Sequence, residues 1–216
     1  MSLGVILLGA CGGDEEEEAR PTSSAEVLEV QSLIRSSELV TAKVTYDAGR
    51  ELDGDELVGT LVLYQRPPDL RIDYEGTSDG DELKMTLIET SSTSFICGQA
   101  PAEDTCTEVS AEEVEQQRQL FDGFFEPLQI VLDEGGLLQF VERLERPIAG
   151  VDAECFVLEE GAEGSTFMDG EVCFSPDGAF LAMDVALSTG FVSIEGLDFS
   201  TALTDEDFAP PFAVAE

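Results

Sequence analysis

The stretch that decides the fold is Gly59-Thr-Leu-Val-Leu-Tyr-Gln-Arg-Pro-Pro-Asp-Leu-Arg-Ile-Asp-Tyr74. Its first half belongs to a strand predicted over residues 56–65, because every second residue from Leu57 to Leu63 is apolar or glycine. Pro67-Pro68-Asp69 then interrupts the pattern. A second strand is predicted over residues 70–75. The stretch therefore predicts two strands joined by a short proline corner.

The same period of two continues on both sides of this stretch. Strands are predicted over residues 40–48, 83–89 and 94–97, with turns at Asp53-Gly54 and Asp79-Gly80. The first half of the chain therefore predicts a meander of antiparallel strands with short turns.

An N-terminal helix is predicted before this meander. Residues 25–38 place four aliphatic side chains on one helical face. They are Val27, Val30, Leu33 and Ile34. Ser24 precedes them as a candidate N-cap.

The middle of the chain changes from strand to helical periodicity. Ser110-Ala-Glu-Glu113 has the form of a capping box. Short helices rich in Leu and Phe are predicted over residues 114–125, 128–132 and 137–144.

The period of two returns in the last third. Four more strands are predicted, over residues 153–158, 165–174, 179–188 and 191–199. Asp169-Gly170 and Asp177-Gly178 are typical of tight turns. The order helix, strands, helices, strands contains no βαβ alternation. It therefore predicts an α+β fold, with one antiparallel sheet carrying helices on one face.

The N-terminus has the features of an export signal. Apolar residues 3–10 end in Leu8-Gly9-Ala10-Cys11, which resembles the lipobox of bacterial lipoproteins. In that class the cysteine receives a diacylglycerol and becomes the first residue after cleavage. We therefore expect a signal peptide over 1–11 with lipidated Cys11, a flexible acidic tether over 12–24, and a single domain over 25–212. The expected location is extracytoplasmic, at the periplasm or cell surface, on a membrane anchor.

Four cysteines remain besides Cys11, and an even number in an exported chain predicts two disulfides. Three pairings are open. Turn-rich sequence between predicted strands favours the local pairs Cys97–Cys106 and Cys155–Cys173. A zinc site is disfavoured, because structural zinc sites pair cysteines two to four residues apart.

The charge of the chain excludes several functions. It has 47 acidic and 10 basic residues, a formal net charge of −37, and no histidine. Such a charge repels nucleic acid, so no nucleic-acid partner is expected. The lack of histidine removes the commonest general base and metal ligand.

Acidic clusters at 53–56, 79–82 and 205–207 do not have the EF-hand spacing, and solvated hairpin turns explain them better than calcium sites. Gly-Xaa-Ser-Xaa-Gly and phosphate-loop motifs are absent from the sequence. We therefore expect no enzyme activity, no metal and no cofactor.

Residues 59–74, with their glycine-led strand, basic-proline corner and arginine-led strand, resemble the superfamily of bacterial lipoprotein carriers that includes LolA, LolB, LprG and LppX. The ending Asp207-Phe208-Ala-Pro-Pro-Phe212 is similar as well. The resemblance implies a strongly curved, incomplete antiparallel barrel with helices packed on its concave face. It also implies an apolar cavity for acyl chains between the sheet and the helices.

The residues that the resemblance places at this cavity are all large and apolar. They are Leu61, Leu63, Leu70, Ile72, Phe121, Phe124, Phe125, Leu128 and Phe140. A Phe-rich set serves a filled core as well as a pocket, so both interpretations remain open at the level of sequence.

Two functional hypotheses follow, and a secreted hydrolase that uses paired carboxylates is a disfavoured third, because no pair of acids stands in a recognisable setting. The first is a lipoprotein that binds or carries a lipid or another apolar small molecule. The second is an envelope module with a filled core that binds other proteins or acts as a sensor.

Overall fold

A computed structural model describes residues 24–99 and 104–215 of the chain. The expected signal peptide, Cys11 and the tether up to residue 23 lie outside the described residues. The two α-helices among these residues are Ala25–Ser37 (α1) and Ala111–Glu134 (α2). The eleven strands are Ala42–Leu52 (β1), Asp55–Arg66 (β2), Asp69–Ser78 (β3), Asp81–Glu89 (β4), Ser94–Gln99 (β5), Asp104–Val109 (β6), Leu138–Ile148 (β7), Val151–Glu160 (β8), Phe167–Phe174 (β9), Phe180–Leu187 (β10) and Gly190–Ser200 (β11).

All eleven strands form one antiparallel sheet in the order β6-β5-β4-β3-β2-β1-β11-β10-β9-β8-β7. The sheet does not close into a barrel, because β6 and β7 lie at its opposite edges. Helix α2 contacts strands from both halves, including β1, β4, β9 and β11. The predicted α+β fold, a curved and incomplete barrel with helices on the concave face, is confirmed.

The path of the chain divides the sheet into two meanders. Strands β1 to β6 follow one another outward to one edge, and β7 to β11 return from the other edge. Helix α2 connects the two edges. The only strand pairing between the meanders in the described part of the chain is β1 with β11, from Lys43↔Ser200 to Leu52↔Gly190. We call this pairing the seam.

The hairpin of β2 and β3 has the arrangement predicted from residues 59–74, with Gln65 opposite Leu70. Gly59 lies opposite Gly76 in the same ladder. A Cβ atom on Gly59 would lie 2.6 Å from the Cα atom of Gly76. The glycine that begins the motif is therefore required by a close approach of two backbones.

Both helices begin at the predicted caps. The side chain of Ser24 accepts a hydrogen bond of 3.3 Å from the amide of Val27. Ser110 and Glu113 form the complete capping box. Helix α2 runs without interruption through Pro127, so the prediction of separate helices over 114–125 and 128–132 is wrong.

Helix α1 also stabilises the end of α2. The Nε2 atom of Gln31, which is buried, donates hydrogen bonds of 2.9 and 3.0 Å to the carbonyl oxygens of Val131 and Leu132. These carbonyls belong to the last turn of α2 and have no partner within the helix. Gln31 therefore joins the two helices through otherwise unpaired backbone groups.

Two further predictions are wrong, and one strand was not predicted. Residues 137–144 are not a helix, since Leu138–Ile148 is strand β7. Asp169-Gly170 is not a turn but part of β9. Strand β6, at the other edge, has no counterpart in the sequence prediction.

The core fills much of the space between the sheet and the helices. Its largest fully buried side chains include Tyr46, Tyr74, Phe121, Phe124 and Phe174. Within residues 24–99 and 104–215, no helix is long and apolar enough to cross a membrane.

Two disulfides connect neighbouring strands. Cys97 of β5 is bonded to Cys106 of β6, and Cys155 of β8 to Cys173 of β9. In each case the two cysteines are directly opposite in the ladder. These are the local pairings that the sequence favours.

Candidate functional site

A cavity of about 1000 Å³ lies between the inward face of the first three strands and helix α2. Helix α1 contributes Ile34 to its lining. Cavities that hold small ligands in proteins typically measure roughly 300–1,000 Å³, so this one is at the upper end of the range.

The floor of the cavity follows from the alternation of side chains along the strands. Every second residue of β1 from Ala42 to Leu52 points inward, and Val44 and Tyr46 of this row contact the cavity. Leu63 of β2 and Ile72 of β3 are neighbours in the ladder and extend the apolar surface. The floor is therefore aliphatic and aromatic.

One side of helix α2 forms the opposite wall. Phe121, Phe125, Leu128 and Leu132 recur at helical spacing and line the cavity. The adjoining side of the helix contributes polar side chains to the rim. These are Arg118, Gln119, Asp122, Glu126 and Gln129. An apolar interior with a polar rim is the usual composition of a ligand pocket.

Six of the nine predicted cavity residues line the cavity. They are Leu63, Leu70, Ile72, Phe121, Phe125 and Leu128. Leu61 and Phe124 are instead fully buried in the core, where the Phe124 ring lies 6.2 Å from that of Tyr74. Phe140 is half-buried on the edge strand β7 and packs against the core away from the cavity.

The sequence did not single out Tyr46, which lines the cavity from the middle of β1. Its hydroxyl donates a hydrogen bond of 2.9 Å to the carbonyl oxygen of Phe180, a second cavity residue. Burial raises the pKa of Tyr46 far above its ordinary value of 10.0, so the hydroxyl stays neutral. The alternation that placed Leu57 to Leu63 on one face would have identified Tyr46 if applied to β1.

Two of the four carboxylates that line the cavity, Asp69 and Asp122, lie beside arginine side chains. Arg118 lies 2.6 Å from Glu115 and 3.9 Å from Asp122. Burial raises the pKa of Asp122 while the charge of Arg118 opposes the rise. At the other end of the cavity, Nη2 of Arg66 lies 2.9 Å from Oδ2 of Asp69.

Arg50 differs from the other arginine of the lining. It lines the cavity from β1, and among the described residues no carboxylate forms an ion pair with it. Its Nε atom is buried and has no hydrogen-bond partner in the described structure.

A second cavity, of about 610 Å³, lies on the outer face of β2 to β4 beside the C-terminal residues Pro211 and Phe212. Its charged groups bind one another. The guanidinium of Arg71 makes two hydrogen bonds of 2.9 Å to the carboxylate of Asp73, and also donates to the carbonyl oxygen of Asp207. This cluster fixes the C-terminal segment against the sheet, so we assign it a structural role.

One group of potential metal ligands occurs in the described residues: Cys155, Glu171 and Cys173. The two sulfurs are bonded to each other and are therefore not thiolates. Two of the acidic clusters form hairpin turns as predicted, at Asp53-Gly54 and Asp79-Gly80, and these residues have positive φ. The prediction is wrong for the third cluster, because Asp205–Phe208 is a short 3-10 helix.

No protein-family model and no curated protein matches the sequence. Among solved structures, the fold is similar to MucB in its complex with MucA(peri), at 12% identity and a TM-score of 0.48 over 85% of this chain. The chain spans 59% of the length of that protein.

Two mycobacterial structures are similar over most of their length. LprF from Mycobacterium bovis has 10% identity and a TM-score of 0.47, with 88% of this chain and 99% of that chain covered. The Mycobacterium tuberculosis lipoprotein LppX has 9% identity and a TM-score of 0.44, with 82% and 98% covered. The similarity to all three is one of general arrangement, not of ligand or function.

Proposed function

We propose that the chain is a non-enzymatic, extracytoplasmic lipoprotein that binds a lipid or another apolar ligand between its sheet and helix α2. The observation that supports the proposal is the cavity of about 1000 Å³ with its aliphatic and aromatic floor. Burial of apolar surface would provide the affinity, at roughly 0.8 kcal/mol for each buried methylene group. The polar rim on α2 would leave the end of the ligand that is not buried on the apolar floor near water.

The anchor is a separate part of the proposal. We infer that Cys11 carries the lipid, because Leu8-Gly9-Ala10-Cys11 precedes a Gly-Gly-acid tract of tether composition. The two disulfides support the oxidising compartment that export implies. Growth with a clickable fatty acid should label the native gene product and leave the Cys11→Ser variant unlabelled. Absence of label on the native product would disprove the anchor without affecting the cavity.

Ligand binding can be tested on the described domain with a variant that fills the cavity. Leu63→Trp places a larger side chain in the middle of the floor. Leu197→Trp makes the same change on β11, where the leucine is 60% exposed. We expect native mass spectrometry and solvent extraction to find bound lipid in the wild type and in Leu197→Trp, and much less in Leu63→Trp.

A wild-type protein without bound lipid would contradict the proposed ligand binding. If the wild type has its apo mass in repeated preparations and does not take up cis-parinaric acid, the cavity does not bind lipid. The alternative, an envelope module that binds other proteins or acts as a sensor, would then be the better hypothesis.

A further inference from the structure

Arg50 occupies a position where the alternation of β1 requires an apolar side chain. The inward row of β1 consists of Ala42, Val44, Tyr46, Ala48, Arg50 and Leu52, and the other five members are buried. Arg50 lies opposite Leu57 of β2 and Val192 of β11. Both of these neighbours are fully buried. A guanidinium is costly among such side chains unless it has an anionic partner.

Helix α2 leaves space for this guanidinium. A Cβ atom on Gly123 would lie 2.5 Å from Nη1 of Arg50 and 2.8 Å from its Cζ. The guanidinium also lies over Phe124, with Cζ 5.8 Å from the ring centroid. Gly123 therefore makes room at this point of α2 for the head of Arg50 at the wall of the cavity.

The internal contacts of Arg50 leave most of its hydrogen-bonding capacity unused. A guanidinium carries five N–H donors. Within the described part of the chain, Nη2 makes one long hydrogen bond of 3.4 Å to the carbonyl oxygen of Leu120, and the buried Nε has no partner. This arrangement is unusual for an arginine in a protein with a net charge of −37.

Other arginines of the chain form ion pairs with the carboxylates that surround them. Five of them each lie within 3.0 Å of a carboxylate oxygen: Arg66, Arg71, Arg118, Arg143 and Arg146. Arg118 lines the same cavity as Arg50 and pairs with Glu115. The acids that line the cavity include Asp69 and Asp122, and these lie beside Arg66 and Arg118 instead.

We propose that Arg50 binds the anionic head group, a carboxylate or a phosphate, of an amphiphile whose hydrocarbon chain lies on the apolar floor of the cavity. The inference rests on the proposed function and names the class of its ligand. Guanidinium groups bind carboxylates and phosphates through two parallel hydrogen bonds, and such bonds are stronger than those between neutral groups. An anion at this position would accept hydrogen bonds from the N–H donors of Arg50 that have no acceptor among the described residues. The floor between Ala42 and Arg50 extends roughly 26 Å at the rise of a strand, which leaves length for the chain.

Three probes with the same twelve-carbon chain test the head group: dodecanoate, dodecyl phosphate and dodecanol. Displacement of cis-parinaric acid should show that the wild type binds at least one of the anions about tenfold more tightly than dodecanol. The tighter of the two anions identifies carboxylate or phosphate as the preferred group. Equal affinity for all three probes would overturn the inference and leave the proposed function standing, whereas binding of none would contradict the proposed function itself.

Two variants assign the preference to Arg50. Arg50→Gln should lose the preference for an anion while its affinity for dodecanol stays within twofold of the wild type. Arg118→Gln is the matched control, because it removes the arginine of the same cavity that already has carboxylate partners, and it should retain the preference. Persistence of the preference in Arg50→Gln would overturn the inference. If Arg50→Gln fails to fold, Arg50→Lys retains the charge but not the fork, and it should keep only part of the preference.

Discussion

The hydroxyl of Tyr46 donates a hydrogen bond of 2.9 Å to the backbone carbonyl oxygen of Phe180 and so connects β1 to β10 across the inward face of β11. The ladder of β10 with β9 has a register shift just after Phe180. The bond therefore fixes the sheet where its regular pairing is interrupted, and it does so in the lining of the cavity.

Tyr46→Phe should destabilise the protein by about 1–3 kcal/mol, because it leaves a buried carbonyl oxygen without its partner. Urea denaturation monitored by circular dichroism measures the loss. Tyr74→Phe is the matched comparison, since the hydroxyl of Tyr74 donates to the partly buried carbonyl of Thr77 at 3.1 Å. A loss in Tyr74→Phe as large as that in Tyr46→Phe would contradict the role given to the buried bond.

Gly59→Ala should destabilise the hairpin of β2 and β3 by more than about 2 kcal/mol, because the new Cβ would press on the backbone of Gly76. Gly49→Ala provides the control. A Cβ there meets only the side chain of Val58, at 4.0 Å. The midpoint of thermal unfolding should therefore fall markedly for Gly59→Ala and change little for Gly49→Ala. Equal midpoints for the two variants would contradict the close approach.

Loss of either disulfide should lower stability by about 3 kcal/mol in the chain-entropy model. The bridges close loops with sequence separations of 9 and 18 residues, so the loss should be slightly larger for the Cys155–Cys173 pair. Urea denaturation of the double serine variant of each pair measures the two losses of stability. Unchanged stability after removal of both pairs would argue against their presence in the folded protein.

Stability should depend on pH through Glu134, at the end of α2. Burial raises the pKa of this carboxyl, but hydrogen bonds from the backbone of Thr166 and the hydroxyls of Ser165 and Thr166 outweigh it, and the pKa falls below its ordinary value of 4.5. The unfolded chain then binds the proton more readily than the folded one. The contribution is therefore complete above the ordinary value and is lost as the pH falls through the lowered pKa.

Glu134→Gln should accordingly cost about 1 kcal/mol at pH 7, and the difference from the wild type should shrink below about pH 4. Asp133→Asn is the control, because Asp133 is the exposed neighbour in the same helix turn. Urea midpoints of all three proteins at several pH values separate this effect from the general charge of the surface. A difference that stays constant down to pH 3 would contradict it.

Sequence periodicity predicted most strands because their inward residues alternate with polar ones. It failed at the edges of the sheet. At β7, Leu137 just before the strand and Phe140, Val141 and Leu144 within it have helical spacing. Most of the strand is exposed, however, and its ladder contains a register shift at Phe140. Tertiary pairing with β8, including the ion pair of Arg143 with Glu154, determines the strand there.

The candidate site was predictable only in part. A curved sheet covered by a Phe-rich helix brings Leu63, Ile72 and Phe125 together, and alternation in the sequence suffices to place them. The division between cavity and core is different, because it depends on how far α2 lies from each strand. Leu61 and Leu63 share one face of β2, but only Leu63 lines the cavity. Arg50 was missed for a related reason, since only the folded structure shows that its buried Nε has no hydrogen-bond partner among the described residues.

The seam of β1 and β11 has a consequence for the order of folding. Each meander pairs strands that are neighbours in the chain, so the loops to be closed are short. The seam instead joins Leu52 to Gly190 and must close a loop that contains most of the protein. We expect the two meanders to form first and the seam last. The floor of the cavity, which lies on β1 beside this seam, then takes its final form only after β11 has been synthesised and has paired with β1.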